Sequence, residues 1–171
     1  MRAAGGRRRR PGHPTTAEVV QGLRELAASS GALVALVDAD AVAGERHVLS
    51  AWAHLGRARA RGTARLRDRG AEFVLYLAGD DQLPRALAKV GVTERTERFV
   101  LVAERPHDPA ELLARFGLEP DPTAYPRPVT PQLLERLGVS PAERDALPSS
   151  AWEGLVLERV ALVDLSLAPS R

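Results

Sequence analysis

The chain has 171 residues, 44% of them hydrophobic, which is enough for one compact domain with a core and short for two. Cysteine is absent, excluding disulfides, thiol catalysis and thiolate metal sites. No run approaches the ~18 apolar residues of a membrane span, and no apolar stretch follows the basic amino end as in a secretory signal, so a cytoplasmic protein is expected. The formal charge of +2 belongs to the amino end. Residues 1–10 hold five arginines and no acid, leaving 19 basic against 22 acidic side chains for the rest.

In chain order, residues 1–14 include GGRRRRPGHP, which has no apolar periodicity and reads as a disordered basic tail. The domain is expected over 15–168. Thr15 or Thr16 caps a helix running to about Ala28, with Val19, Val20, Leu23, Leu26 and Ala27 on its apolar side. Ser29, Ser30 and Gly31 end it. Ala32–Val37 is a continuous apolar run, read as a buried strand. A long helix from about Glu45 to Arg61 follows, with Val48, Leu49, Trp52, Ala53 and Leu55 as its apolar positions.

The stretch Gly70–Val92 is the organising element. Its first half, Phe73–Ala78, fits a buried strand or a helix equally well by periodicity. Its second half is a short helix: Asp80 or Asp81 to cap, Pro84 in the first turn, Leu83, Ala86, Leu87 and Val90 on one face, and Gly91 for a left-handed stop. Glu97–Val102 reads as a second strand. Asp108 and Pro109 open a helix that buries Leu112, Leu113 and Phe116 and stops at Gly117. Residues 119–131 carry five prolines and read as an extended loop. Thr130 and Pro131 open a short helix, Gln132–Leu137. Ser140 with Glu143, and Ser150 with Glu153, form capping-box patterns.

Behind the second box, Leu155–Leu165 has only Glu158, Arg159 and Asp164 as polar residues, at well-separated angles. A helix apolar nearly all round is buried on more than one side. The reading is that one side meets the domain and another a partner, with Leu155, Val156, Arg159, Val160 and Val163 as the docking residues. Arg57, Arg61 and Arg65 form an i, i+4 row inside the only dense basic cluster of the domain. Such a row can track a phosphate backbone or stack on unpaired bases. With Arg85 and Lys89 it makes the candidate RNA surface. Asp38, Asp40 and His47 would serve a small hydrolase, but carboxylates at a strand end more often cap the next helix, and no convergent partners are seen. His47 and His54, seven apart, lie ~10 Å along a helix and do not readily share one ion. No phosphate loop, nucleophile elbow or zinc pattern occurs. No catalytic residue, metal or cofactor is assigned.

Two blocks carry a family resemblance: VDADAVAGERHVLSAWAHLGRA (Val37–Ala58) and AEFVLYLAGDDQLPRALAKVGV (Ala71–Val92), the latter followed by FVLV. Together they resemble the small regulatory subunit of the KEOPS (EKC) complex, the PRPK-binding protein family, in its archaeal form. The similarity spans about Leu33–Val102 and extends more weakly to Glu158–Leu165. It implies a single mixed α+β domain, a small central sheet packed by many helices, with Phe73–Ala78 helical. It also implies a non-enzyme that binds the complex's atypical kinase/ATPase subunit through helical surface including the carboxyl-terminal helix. The implied RNA ligand is tRNA, captured notably by its single-stranded 3′ CCA end, for threonylcarbamoyladenosine modification beside the anticodon. No membrane or small-molecule substrate is implied. Family members often read G-x-R-Q-I where this chain has Gly79-Asp80-Asp81-Gln82-Leu83, so Asp81 reverses a charge; an RNA contact there is lost or moved to Arg85, or Asp81 caps the helix. The alternative from another class is a free-standing RNA binder acting through the Arg7–Arg10 tail.

Overall fold

The computed structural model describes residues 1–8 and 14–166. Its elements are β1 (Arg2–Arg8), α1 (Thr16–Ser30), β2 (Val34–Asp38), α2 (Glu45–Arg61), α3 (Arg69–Ala78), α4 (Leu83–Val90), β3 (Arg98–Ala103), α5 (Pro109–Arg115), β4 (Leu118–Pro120), α6 (Pro131–Arg136), α7 (Pro141–Asp145) and α8 (Trp152–Ser166). The mixed α+β expectation holds. The strands form one antiparallel sheet in the order β2-β3-β1-β4.

The first strand corrects the sequence reading. Arg2–Arg8 is not a disordered tail but an interior strand, paired with β3 from Arg2↔Ala103 to Arg7↔Arg98 and with β4 from Gly6↔Pro120 to Arg8↔Leu118. RAAGGRR shows no alternation because its neighbours need small residues, not large apolar ones. A Cβ on Gly5 would run into the Asp121 carbonyl, whose own N–H donates to the Gly5 carbonyl at 2.9 Å. A Cβ on Gly6 would lie 2.7 Å from Leu113. The strand's charges are also matched locally: Arg2 pairs with Asp108 at 3.0 Å, Arg7 with Glu119 at 3.0 Å, and Arg8 with Glu94 at 3.4 Å. Arg9 and Arg10 lie outside the described residues.

Alternation along the strands feeds two cores. Leu33, Ala35, Val37, Val100 and Val102 point to the face covered by α2, α3, α4 and α8. Val34, Phe99, Leu101 and Ala103 point to the face covered by α1 and α5, meeting Val19, Leu23, Leu112 and Leu113. The helix α3 is the centre of the first core, with every residue from Phe73 to Ala78 buried. It is a helix because Asp68 caps it and Gly79, at φ 60°, ends it in the left-handed conformation.

Helix boundaries follow the caps. Thr15 and Glu18 form a capping box at α1, as Ser140 and Glu143 do at α7, and Asp108 and Thr130 cap α5 and α6. Three local expectations fail. Gly91 has φ −70° and is not left-handed. Ser150 lies in a short 3-10 turn before α8 rather than capping it, and Glu153 instead meets Arg46 at 2.7 Å. Asp81 does not cap α4; Asp80 accepts the Gln82 N–H at 3.0 Å just ahead of the helix, and Gln82 itself holds the cap position without a side-chain bond.

The close approach at β1 predicts opposite signs for two glycine substitutions. Gly5→Ala should destabilise by about 2 kcal/mol through overpacking against backbone. Gly56→Ala, on the open side of α2, should stabilise by roughly 0.5–1 kcal/mol. Urea unfolding midpoints read both.

Candidate partner-binding surface

The outer layer of the first core is a helix pair. The helices α2 and α8 run side by side, tied at one end by Arg46–Glu153 and further along by His54 Nδ1 to Asp164 Oδ2 at 2.7 Å. The buried ring of Tyr76 lies under this pair, 5.8 Å from the His54 ring centroid. Burial, and after it the neighbouring Asp164 carboxylate, raises the pKa of its hydroxyl.

Four of the five predicted docking residues face the wrong way. Leu155, Val156, Val160 and Val163 are buried in the chain's own core. The fifth, Arg159, is mostly covered and ion-paired with Glu143. With apolar residues on both sides of α8, spacing alone could not tell which side the domain takes. The outward side carries Gly154, Ala161, Leu162 and Leu165, with Glu158 as its acid. Leu162 is 42% exposed and Leu165 72%. On α2 the outward residues are Leu49, Trp52, Gly56 and Ala60. They lie at i, i+3, i+7 and i+11, one stripe of a helix. Scattered single leucines mean little; here each helix exposes more than one apolar residue, Leu162 and Leu165 on α8 and Leu49 and Trp52 on α2.

The predicted RNA residues split into two groups. Arg57 and Arg61 are exposed on α2, and no ion pair engages them among the described residues. Arg65 stands in the following loop, donating to the Ser166 carbonyl at 3.2 Å and lying 3.8 Å from Asp81. Arg85 and Lys89 belong to a closed cluster instead. Arg85 reaches Asp80 at 2.9 Å and Asp81 at 3.1 Å, and Lys89 reaches Asp80 at 3.1 Å. Burial pushes the Asp80 carboxyl up, but bonds from the Gln82 N–H, Lys89 and Arg85 outweigh it and hold the pKa below its ordinary value. Asp81 thus spends its charge on Arg85 and Arg65 and caps nothing.

Two acids that spacing did not single out shape this side, Glu72 buried and Glu104 half-buried. Glu72 accepts the main-chain N–H groups of Arg65 and Leu66, at 3.2 and 2.8 Å, and so fixes the arginine-bearing loop. Glu104 accepts from Arg69 at 2.7 Å, Trp52 Nε1 at 2.7 Å and the Leu33 N–H at 3.2 Å. Glu72 was the one to notice, a lone acid within an apolar helix. Asp38 and Asp40, candidates for hydrolysis, are structural: Asp38 pairs with Arg136 at 2.8 Å, and Asp40 with Arg98 and Arg127. Together they hold the proline-rich loop against the sheet's end. His47 is fully buried, its Nδ1 accepting from the Ala43 N–H at 3.1 Å and its Nε2 donating to the Leu77 carbonyl at 2.8 Å. Among the described residues no group of acids and histidines could hold a metal ion, and no helix is long and apolar enough to cross a membrane.

Residues 15–121 match the model of the family described as kinase binding protein CGI-121. The chain belongs to the CGI-121 family. The match covers more than half of the sequence, from α1 through β4, and leaves α8 outside it. Nothing among curated proteins matches the chain. A CGI-121 family member is a kinase binding protein.

The buried histidine predicts a pH dependence. Burial lowers the His47 pKa to about 4, against the bond to Leu77 that raises it. The unfolded chain therefore binds the proton first. Stability is fully present above about pH 6.5 and falls as pH drops towards 4, by roughly 3 kcal/mol. Between pH 6.5 and 4.5, above the carboxylate range, His47→Gln should remove this slope in urea midpoints.

Proposed function

We propose that this CGI-121 family member is the non-catalytic regulatory subunit of a KEOPS complex. It binds the atypical kinase/ATPase subunit and recruits tRNA, through its 3′ CCA end, for threonylcarbamoyladenosine modification beside the anticodon. The family match carries the kinase-binding half of this reading. The two sequence blocks that resemble the KEOPS small subunit support the rest.

The kinase contact is assigned to the outward side of α8, centred on Leu162 and Leu165, with the exposed Leu49 and Trp52 of α2 as further candidates. An apolar centre edged by polar groups is the usual anatomy of a protein interface. Arg57 and Arg61, with Arg65 held in place by Glu72, are assigned to RNA phosphates. Arg85 and Lys89 contribute less, because Asp80 and Asp81 already neutralise them.

The test of the kinase face is co-purification with the kinase subunit. Leu162→Asp with Leu165→Asp should abolish it while the circular dichroism and urea midpoint stay near those of the parent, since both side chains are already wet. Val156→Asp should instead unfold the chain, its side chain being wholly buried. Undiminished pull-down by the double variant would overturn this assignment. For RNA, Arg57→Gln with Arg61→Gln should reduce the slope of log affinity against log salt by about 1–2 for a single-stranded CCA-ended oligonucleotide.

A further inference from the structure

The outer edge of the sheet lies open at the floor of a groove. Glu104 donates its N–H to the Leu33 carbonyl at 3.0 Å, which makes these two a hydrogen-bonded pair of the antiparallel ladder. Alternation then turns the main-chain groups of Ala35 and Val37 toward β3 and those of Val34 and Leu36 away from it. No element of the sheet lies beyond β2. The first turn of α3 covers one of these groups, since a Cβ on Gly70 would sit 2.5 Å from the Val34 carbonyl oxygen. The Val34 and Leu36 N–H groups and the Leu36 carbonyl have no hydrogen-bond partner among the described residues.

These groups face a cavity of about 300 Å³. Val20 and Leu23 of α1 form one wall, and Leu83 and Leu87 of α4, with Val74 of α3, form the other. Leu87 is 42% exposed, although the periodicity of α4 places it on the apolar side. The charged residues of the lining, Arg24 and Asp68, cancel.

The geometry points to a docking groove for a short extended peptide segment of a partner protein, which adds a strand to the outer edge of β2. Three features select that occupant. Unpaired N–H and C=O groups at strand spacing are satisfied by another extended main chain, which neither a helix nor a lipid tail supplies. Walls that are apolar on both sides accept apolar side chains at successive positions, which an added strand sends alternately to the two walls. A lining of zero net charge suits a neutral main chain better than a phosphodiester backbone. The groove is walled by α1, α3 and α4, apart from the α2–α8 face, so this inference does not depend on the kinase assignment.

The test uses the full chain, labelled with ¹⁵N, and the synthetic peptide acetyl-Lys-Val-Leu-Val-Glu-amide as probe. In the free protein the Val34 and Leu36 amides should exchange with D₂O faster than those of Ala35 and Val37. Saturating peptide should slow both and shift the resonances of Val20, Leu36 and Leu87. Methylating alternate peptide nitrogens should abolish the effect in one of the two frames. Leu87→Asp, a change at an already exposed position, should weaken binding at least about tenfold with the circular dichroism unchanged. Amides protected equally in the free protein, equal binding by both methylated peptides, or unchanged binding by the Leu87 variant would each overturn the proposal. So would occupation of the groove by a CCA trinucleotide in preference to the peptide.

Discussion

The interior position of β1 is the constraint on which the rest of the molecule depends. Without it β3 would be a bare edge, β4 would have nothing to pair with, and the proline-rich loop would lose its anchor at Gly5. Two glycines make the position possible. They let the strand lie under the Asp121 and Tyr125 backbone on one side and against Leu113 on the other. The stabilisation comes from main-chain ladders on both sides, since the strand buries almost no side-chain volume of its own. Paired backbone in a dry place is obligatory once the sheet is built around it.

A second dependence runs through buried and half-buried polar groups. His47 bridges the loop before α2 to the last turn of α3, Glu72 bridges α3 to the loop after α2, and Glu104 joins the end of β3 to α2, α3 and β2. His47 and Glu72 each tie an end of α3 to a neighbouring loop, while Glu104 links Trp52 of α2 to Arg69 of α3.

Much of this was legible in the residues. Thr15, Asp108, Thr130 and Ser140 mark helix starts because a short oxygen-bearing side chain before an apolar-periodic run has one main use. The strand at Val34–Asp38 and that at Arg98–Ala103 follow from dense branched apolar runs. The first strand was illegible because its rule is smallness, a tertiary demand that periodicity does not encode. The orientation of α8 was illegible for the opposite reason: with apolar residues on both sides, Val156 and Leu162 look alike until the core is known. The neutralisation of Arg85 depends on Asp80 and Asp81 just ahead of its helix, and the Asp81 contact could have been read from the i, i+4 spacing.

The sheet also joins segments that are far apart in the chain. Arg2 meets Ala103 and Gly6 meets Pro120, so the loops that must close before these ladders form are among the longest the molecule contains. Closure over such a span is slow compared with forming α2 or α3 locally. The helical layer would then assemble first around Phe73–Ala78, while β3 waits with one side unsatisfied for its Gly-Gly neighbour. A strand so poor in branched and aromatic residues has little tendency to pair with the wrong edge in the meantime.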